Sequence, residues 1–515
     1  MDGQSPRAIF TLLISLAVVS IAIFLRLPSC YESLWLDELH SAWIIADDIG
    51  SVYQRSIIGH QSPCYYFQLW VWKQVVGDSE LILRLNSVLM VAGGCGVIAY
   101  GITNWTHSLL AGFVSGLILA MENNSLFFGT ELRPFALVIL CSSISIVIFL
   151  HLLSSESRHT HSTSWCLLII TILFSAICQP TCLGVLAWLP FCLCGIWLIR
   201  SPKQFGRFTW LDAALITITL LTTLMLWQMT LRQSWAEKSM WGSFATATHW
   251  QQIWNIWDWS YLLIIPSIPL LTILIIGKFQ RSKIKDRSIV HGLGFIVALT
   301  ILTTLLYWCL SSLEIVPVWH RRYFIAVLPI LACFGGGCLG YVQHRLADTR
   351  TSAVGCVVLA ASIIIFLGVH QGTLEKLRHY PVALVKRGED WRNAIEWLEQ
   401  ESSPESVILL DSGLIEGRSW ITPKLFENGN DAKLGYLSFP VRGPYWLNRD
   451  VMPVGRMLQP AIPLPNAKNS IYILTRDAPA RTKQRVANRE IMGFGGVSVV
   501  IPEHQEPIST SNFSK

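Results

Sequence analysis

Two adjacent carboxylates, Asp37 and Glu38, stand about ten residues beyond a long apolar segment, within Ser33-Leu34-Trp35-Leu36-Asp37-Glu38-Leu39-His40-Ser41. An acid at a membrane edge can take a proton from a hydroxyl, or hold a cation, where lipid-borne and aqueous molecules meet. Ionisable groups are costly to keep at that boundary and so mark functional positions. The plainer alternative is an interfacial amphipathic helix that turns both acids to water. A second polar stretch follows in Gly59-His60-Gln61-Ser62-Pro63-Cys64-Tyr65-Tyr66, and arginines border apolar segments in Glu131-Leu132-Arg133-Pro134 and His320-Arg321-Arg322-Tyr323. A guanidinium group there can grip phosphate oxygens with its planar fork, or simply snorkel to the headgroups. His60 has the alternative of an ordinary loop histidine. Tyr65 and Tyr66 have that of an interfacial anchor.

The elements that must position these residues are mostly apolar. Of 515 residues, 52% are hydrophobic and 14% charged, against about 25% charged in a soluble domain. Twenty-two Trp and 13 Tyr suit many membrane–water boundaries. The 13 Cys lie almost wholly in apolar runs without metal-ligand or CxxC spacing, and act as small hydrophobes. Segments near the length needed to span a bilayer fall at 8–27, 82–103, 108–128, 132–153, 164–178, 182–199, 211–231, 259–277, 290–311, 323–342 and 351–370. The pair flanking Gln179-Pro180-Thr181 is short. The first segment is read as an uncleaved helix, because its apolar run is long for a signal peptide and Pro28 is awkward beside a cleavage site.

Lys and Arg in short loops set orientation. With a cytoplasmic N-terminus, inside segments carry twelve basic residues, five of them from Lys278 to Arg287, against six outside, so the bias favours this arrangement. Asp37, Glu38 and everything after the last span are then expected on the non-cytoplasmic side of the plasma (inner) membrane. The expected architecture is an α-helical polytopic membrane protein of about eleven transmembrane helices with a C-terminal soluble α/β domain. Residues 1–371 form the membrane part, with a long first external loop at 28–81, and 372–515 the soluble domain. In the loop, Leu34 to Ala46 reads as an amphipathic helix with Leu34, Asp37, Glu38 and Ser41 on one face. A Trp-rich loop at 232–258 suits the headgroup region. In the tail, Glu389 to Leu398 has helical period, and 406–410, 470–474 and 497–501 read as strands. Glu389-Asp390 reads as a solvated helix start. Gly493-Phe494-Gly495-Gly496 precedes a strand, the wrong order for a phosphate-binding loop. The net charge of +6 is modest, and no nucleic-acid partner is expected.

Taken in order, the polar segments resemble those of polytopic GT-C glycosyltransferases. The branch is that of the protein O-mannosyltransferases and the aminoarabinose transferase that modifies lipid A. The matching parts are Leu36-Asp37-Glu38; Gly59 to Tyr66 running into Trp70 and Trp72; Gly77-Asp78-Ser79-Glu80-Leu81-Ile82-Leu83-Arg84; Glu131-Leu132-Arg133-Pro134-Phe135; and His320-Arg321-Arg322-Tyr323. The likeness covers the membrane part in order and the tail more loosely. Gln61-Ser62-Pro63 stands where many relatives have His-Pro-Pro, so His60 and Gln61 both remain open for the family's polar position. Phe135 replaces a usual Tyr and removes its hydroxyl.

The resemblance implies transfer of a sugar from a polyprenyl-phosphate donor, presented in the lipid bilayer, to an acceptor that is a protein, lipid or glycan. Asp37 is then the general base on the acceptor hydroxyl, and Glu38 orients the acceptor or shares a cation. Arg322 and Arg133, with Arg321 and His60 behind them, face the donor phosphate. Gln61, Tyr65, Tyr66 and Tyr323 bind substrate. No resident cofactor is implied; the acid pair can hold one divalent cation, although no His/Asp cluster of ligand spacing accompanies it. Two other classes fit eleven spans: a transporter or lipid-linked sugar flippase, and a receptor whose tail binds ligand. Paired broken helices in related halves, the mark of many transporters, are not evident. A receptor leaves the acid pair and the Arg-Tyr element without a purpose.

Overall fold

The computed structural model describes residues 5–154, 161–200, 217, 221, 224–225, 245–276, 285–345, 350–427, 431–455, 458, 470–486 and 489–502. Helix α1 (Ser5–Arg26) leads through a 3-10 turn, Leu27–Tyr31, to α2 (Leu36–Ile44), α3 (Ile49–Ile58) and α4 (Pro63–Val76). Then come α5 (Glu80–Thr106), α6 (Leu109–Met121), α7 (Asn123–Phe128), α8 (Phe135–Ser154), α9 (His161–Cys178), α10 (Leu183–Leu186) and α11 (Trp188–Arg200). The later helices are α12 (Ser260–Ile276), α13 (Lys285–Ser312), α14 (Leu328–Arg345), α15 (Arg350–His370) and α16 (Trp391–Glu401). By packing, the chain divides into two compact units: residues 1–30 with 81–385, and residues 31–80 with 386–515.

The first unit is helical. Among the described residues six helices are long and apolar enough to cross a membrane, and three shorter apolar helices accompany them. The expected span at 211–231 lies outside the described residues except at 217, 221 and 224–225; so do 278–284 of the basic segment, and Trp235 and Trp241. Small residues let the helices close on one another, as polar-poor bilayer interiors require. On α14, a Cβ added at Gly336 would lie 2.5 Å from the carbonyl oxygen of Ala111 on α6, so only glycine fits there. Beside it the Ser115 hydroxyl donates to the Ala332 carbonyl at 3.0 Å.

The segment 108–128 is not one helix. It breaks at Glu122, whose carboxylate accepts the Ser125 N–H at 2.5 Å and caps α7. Glu122-Asn123-Asn124-Ser125 favours a cap over an apolar helix interior, since short polar side chains satisfy first-turn amides. The gap at Gln179 is likewise real: α9 ends at Cys178, and Pro180, lacking an N–H, opens a separate 3-10 turn.

The second unit carries a five-stranded sheet in the order β2-β1-β3-β5-β4, formed by β1 (Val407–Asp411), β2 (Asp450–Pro453), β3 (Ile471–Thr475), β4 (Ile491–Phe494) and β5 (Val497–Val500). β2, β1 and β3 run parallel, while β5 pairs antiparallel with both β3 and β4. β1, β3 and β5 are the three strands expected from sequence. β2 and β4 sit at the sheet edges, where a short, half-exposed strand needs no continuous apolar run. Val407, Leu409, Ile473 and Val500 fill the core.

Candidate functional site

The expected helix around Asp37 exists as α2, but it does not lie on a surface: Leu36 and all residues from Glu38 to Ile44 are buried. No side chain at Trp35 caps it, so its first amides need acceptors from elsewhere. Glu38 accepts the Trp35 N–H at 3.3 Å. Glu389, from the far end of the sequence, accepts the Leu36 N–H at 3.1 Å. At the other end, the Lys73 ammonium donates to the carbonyls of Ala46 at 2.6 Å and Ile45 at 3.2 Å, and Arg55 donates to the Trp43 carbonyl at 2.5 Å. Cations on the last carbonyls suit the negative end of a helix. His40 and Trp43 meanwhile pack against Tyr436 and Phe439. The outcome is a helix fixed at both ends, with Asp37 in its first turn and partly exposed. Glu38 is fully buried, and its carboxylate serves the helix start.

The chain just before α2 is fastened as well. Tyr445 accepts the Leu34 N–H at 2.8 Å, and its own hydroxyl donates to Glu80. Burial and the Glu80 charge push the Tyr445 phenol well above its usual range, so it remains a donor. Arg392 pairs with Glu80, its Nε donating at 3.0 Å, and its main-chain N–H donates to the Ser33 hydroxyl at 3.1 Å.

His60 and Gln61 close α3. The Gln61 N–H donates to the Ser56 carbonyl at 2.8 Å and the His60 N–H to the Ile57 carbonyl at 3.0 Å, the paired bonds of a Schellman C-cap. His60 occupies the left-handed position at φ 54°, where glycine is the usual choice and a side chain adds strain. Pro63 then starts α4, whose first turn holds Tyr65 and Tyr66. Both are fully buried and meet edge to face at 5.2 Å, which replaces the interfacial-anchor reading with a packed pair.

The arginine candidates belong to the first unit. Arg133 is buried in the bend between α7 and α8, where its N–H and the Ser87 hydroxyl both donate to the Glu131 carbonyl, at 2.8 and 2.6 Å. Arg321 and Arg322 open the 3-10 segment Arg321–Val327, and the His320 Nδ1 accepts the Arg322 N–H at 3.3 Å. Arg321 is exposed with its guanidinium 5.1 Å from the Phe127 ring; Arg322 is half-buried and 5.3 Å from the Tyr323 ring. Phe127 contacts Phe128, and Phe128 contacts Phe135, with ring centroids 5.0 and 5.1 Å apart. This ring ladder brings the Arg321 turn and the Arg133-Pro134-Phe135 corner into one neighbourhood. Among the described residues no group of three or more His, Cys, Asp or Glu is placed to hold a metal ion.

Sequence reasoning missed Glu389, which is no solvated helix start. Its side chain is 10% exposed and paired with Arg476; only its neighbour Asp390 caps α16, accepting the Asn393 N–H at 3.2 Å. It also missed Arg26, wholly buried and donating to the Ser125 hydroxyl at 2.8 Å. A charged residue inside a span is itself a signal, but Arg26 at the end of α1 is indistinguishable by sequence from a snorkelling arginine.

The fold is therefore that of a polytopic helical membrane protein with a mixed-sheet C-terminal region. No family model matches the sequence, and no curated protein matches it. Among solved structures it is similar to ArnT, an aminoarabinose transferase of the GT-C type, from Cupriavidus metallidurans bound to undecaprenyl phosphate. That likeness has 12% identity and a TM-score of 0.50, and covers 97% of this chain and 98% of that one. The apo form of the same protein gives 12% identity and a TM-score of 0.49 over the same shares. At this identity the likeness establishes the shared fold.

Proposed function

We propose that this chain is a membrane glycosyltransferase that moves a sugar from a polyprenyl-phosphate donor to an acceptor hydroxyl on the non-cytoplasmic face. The observation that carries the reading is the end-to-end likeness to a fold crystallised with undecaprenyl phosphate, joined to an acid, Asp37, on a helix start fixed by named hydrogen bonds. In this mechanism Asp37 takes the acceptor proton as the acceptor oxygen attacks the anomeric carbon. The anomeric C–O bond breaks and polyprenyl phosphate leaves with the bonding pair. Arg322 and Arg133, assisted by Arg321 and His60, neutralise the leaving phosphate, where a low dielectric makes their charge count most. Glu38 holds the Trp35 amide and so orients the turn. Gln61, Tyr65, Tyr66 and Tyr323 shape the substrate surroundings.

Mass spectrometry of lipids and glycans from a deletion strain tests this directly. The expected result is loss of one sugar from a glycan, lipid or protein, with accumulation of a polyprenyl-phosphate sugar. Unchanged glycans and no accumulated donor would refute it.

His60 gives a separate prediction. His60→Gly relieves the left-handed backbone and is expected to raise stability by about 1 kcal/mol, read as a higher Tm, while transfer falls. A more stable and fully active variant would remove His60 from the site.

A further inference from the structure

We propose that Glu389 is a positioning residue for Asp37, and that the Gly495-Gly496 turn of the C-terminal sheet is the mount that holds it. The inference rests on the reading of Asp37 as the base. All its parts lie in the unit formed by residues 31–80 and 386–515.

One Glu389 oxygen accepts both the Leu36 N–H, at 3.1 Å, and the Trp391 indole N–H, at 2.9 Å. The other accepts from Arg476, at 2.8 Å from Nε and 2.7 Å from the nearer terminal nitrogen. Three hydrogen-bond donors and the ion pair with Arg476 hold the carboxylate at both oxygens, and charge-assisted bonds of this kind are the stronger ones. It thus offers the first amide of α2 an acceptor of fixed position. Arg476 and Arg387 also stand 6.0 and 5.9 Å from the ring of Trp35, the residue before that amide. With Tyr445 on the Leu34 amide and Arg392 on the Ser33 hydroxyl, residues 33, 34 and 36 are each held from the tail.

The main chain of Glu389 is in turn set by the sheet. Glu389 forms an isolated bridge with Gly495, the Asp390 N–H donates to the Phe494 carbonyl at 3.3 Å, and the Gly496 N–H donates to the Gly388 carbonyl at 2.5 Å. Gly495 has φ +64°, and a Cβ at Gly496 would stand 3.0 Å from the Gly388 carbonyl oxygen. Glycines at both places let Gly388-Glu389 approach the β4–β5 turn. The Gly493-Phe494-Gly495-Gly496 run, which suits no phosphate loop, thereby acquires a purpose. The line of support passes from the turn to Glu389, to the Leu36 amide, to the first turn of α2 and Asp37. Misplacing a reacting group by about 1 Å can cost on the order of a hundredfold in rate.

The test is a double-mutant cycle on the full chain in liposomes, with a synthetic polyprenyl-phosphate sugar as donor. Glu389→Ala is expected to lower kcat about tenfold to a hundredfold with both KM values little changed, and Glu389→Gln, which keeps an acceptor oxygen, to lower it less. In an Asp37→Asn background both substitutions should leave the residual rate unchanged, because a residue acting only through Asp37 has nothing left to position. Equal losses in both backgrounds, or no loss in either, overturn the proposal. If Glu389→Ala does not fold, the same cycle with Glu389→Gln decides on the same terms. Full activity of Asp37→Asn alone would instead remove the base assignment on which the inference rests.

Discussion

Asp37→Asn leaves the protein folded and lowers sugar transfer by about 10²–10⁴-fold, the range a single general base supplies. The helix start keeps two acceptors in this variant: Glu38 for the Trp35 amide and Glu389 for the Leu36 amide. Asn keeps the size and polarity of the side chain and removes the basic carboxylate. Glu38→Ala differs in kind, since Glu38 is fully buried and caps the turn. Its expected effect is on stability first, about 0.5–2 kcal/mol for a lost cap contact. The two substitutions therefore separate chemistry from support within one pair of neighbours. Transfer rates and thermal unfolding on the same preparations read both. Undiminished transfer by a folded Asn variant would place the base elsewhere.

Arg322→Ala lowers kcat/KM for the polyprenyl-phosphate donor by about 10²–10³-fold, the cost of removing one charge-stabilising donor, and leaves acceptor KM nearly unchanged. Arg322 is suited to the part because its main chain is fixed by the His320 imidazole while its side chain is only half-buried. Arg322→Lys should recover little, as an ammonium cannot reproduce the two-pronged grip of a guanidinium. Arg321, exposed against the Phe127 ring, should show a smaller loss on the same assay. Kinetics with donor and acceptor varied independently check this; a loss confined to acceptor use would break the phosphate assignment.

What the sequence discloses is largely what has a local pattern. The apolar segments, the period of α16, the three interior strands of the tail and the helix bearing Asp37 all follow from hydrophobic spacing. Glu122 is a different case. A helix of apolar residues on both sides hides a break that depends on one carboxylate reaching the Ser125 amide. The edge strands β2 and β4 escape because neither face needs a continuous apolar run. Glu389 escapes for a stronger reason: its partner is Leu36, 353 residues away, and no periodicity reports a hydrogen bond of that span. The burial of α2 is equally hidden, because the aromatic residues that cover it, Tyr436 and Phe439, come from the tail. Asp37 itself is legible as an acid about ten residues beyond an apolar segment, whereas the means of holding it is not.

The central claim is that the chain consumes a polyprenyl-phosphate sugar. Purified protein in liposomes, given a donor radiolabelled in the sugar and an extract of acceptors, should release one polyprenyl phosphate for each sugar that becomes covalently attached. Intact donor appearing on the opposite leaflet, with no polyprenyl phosphate released, would contradict the account and mark the protein as a flippase.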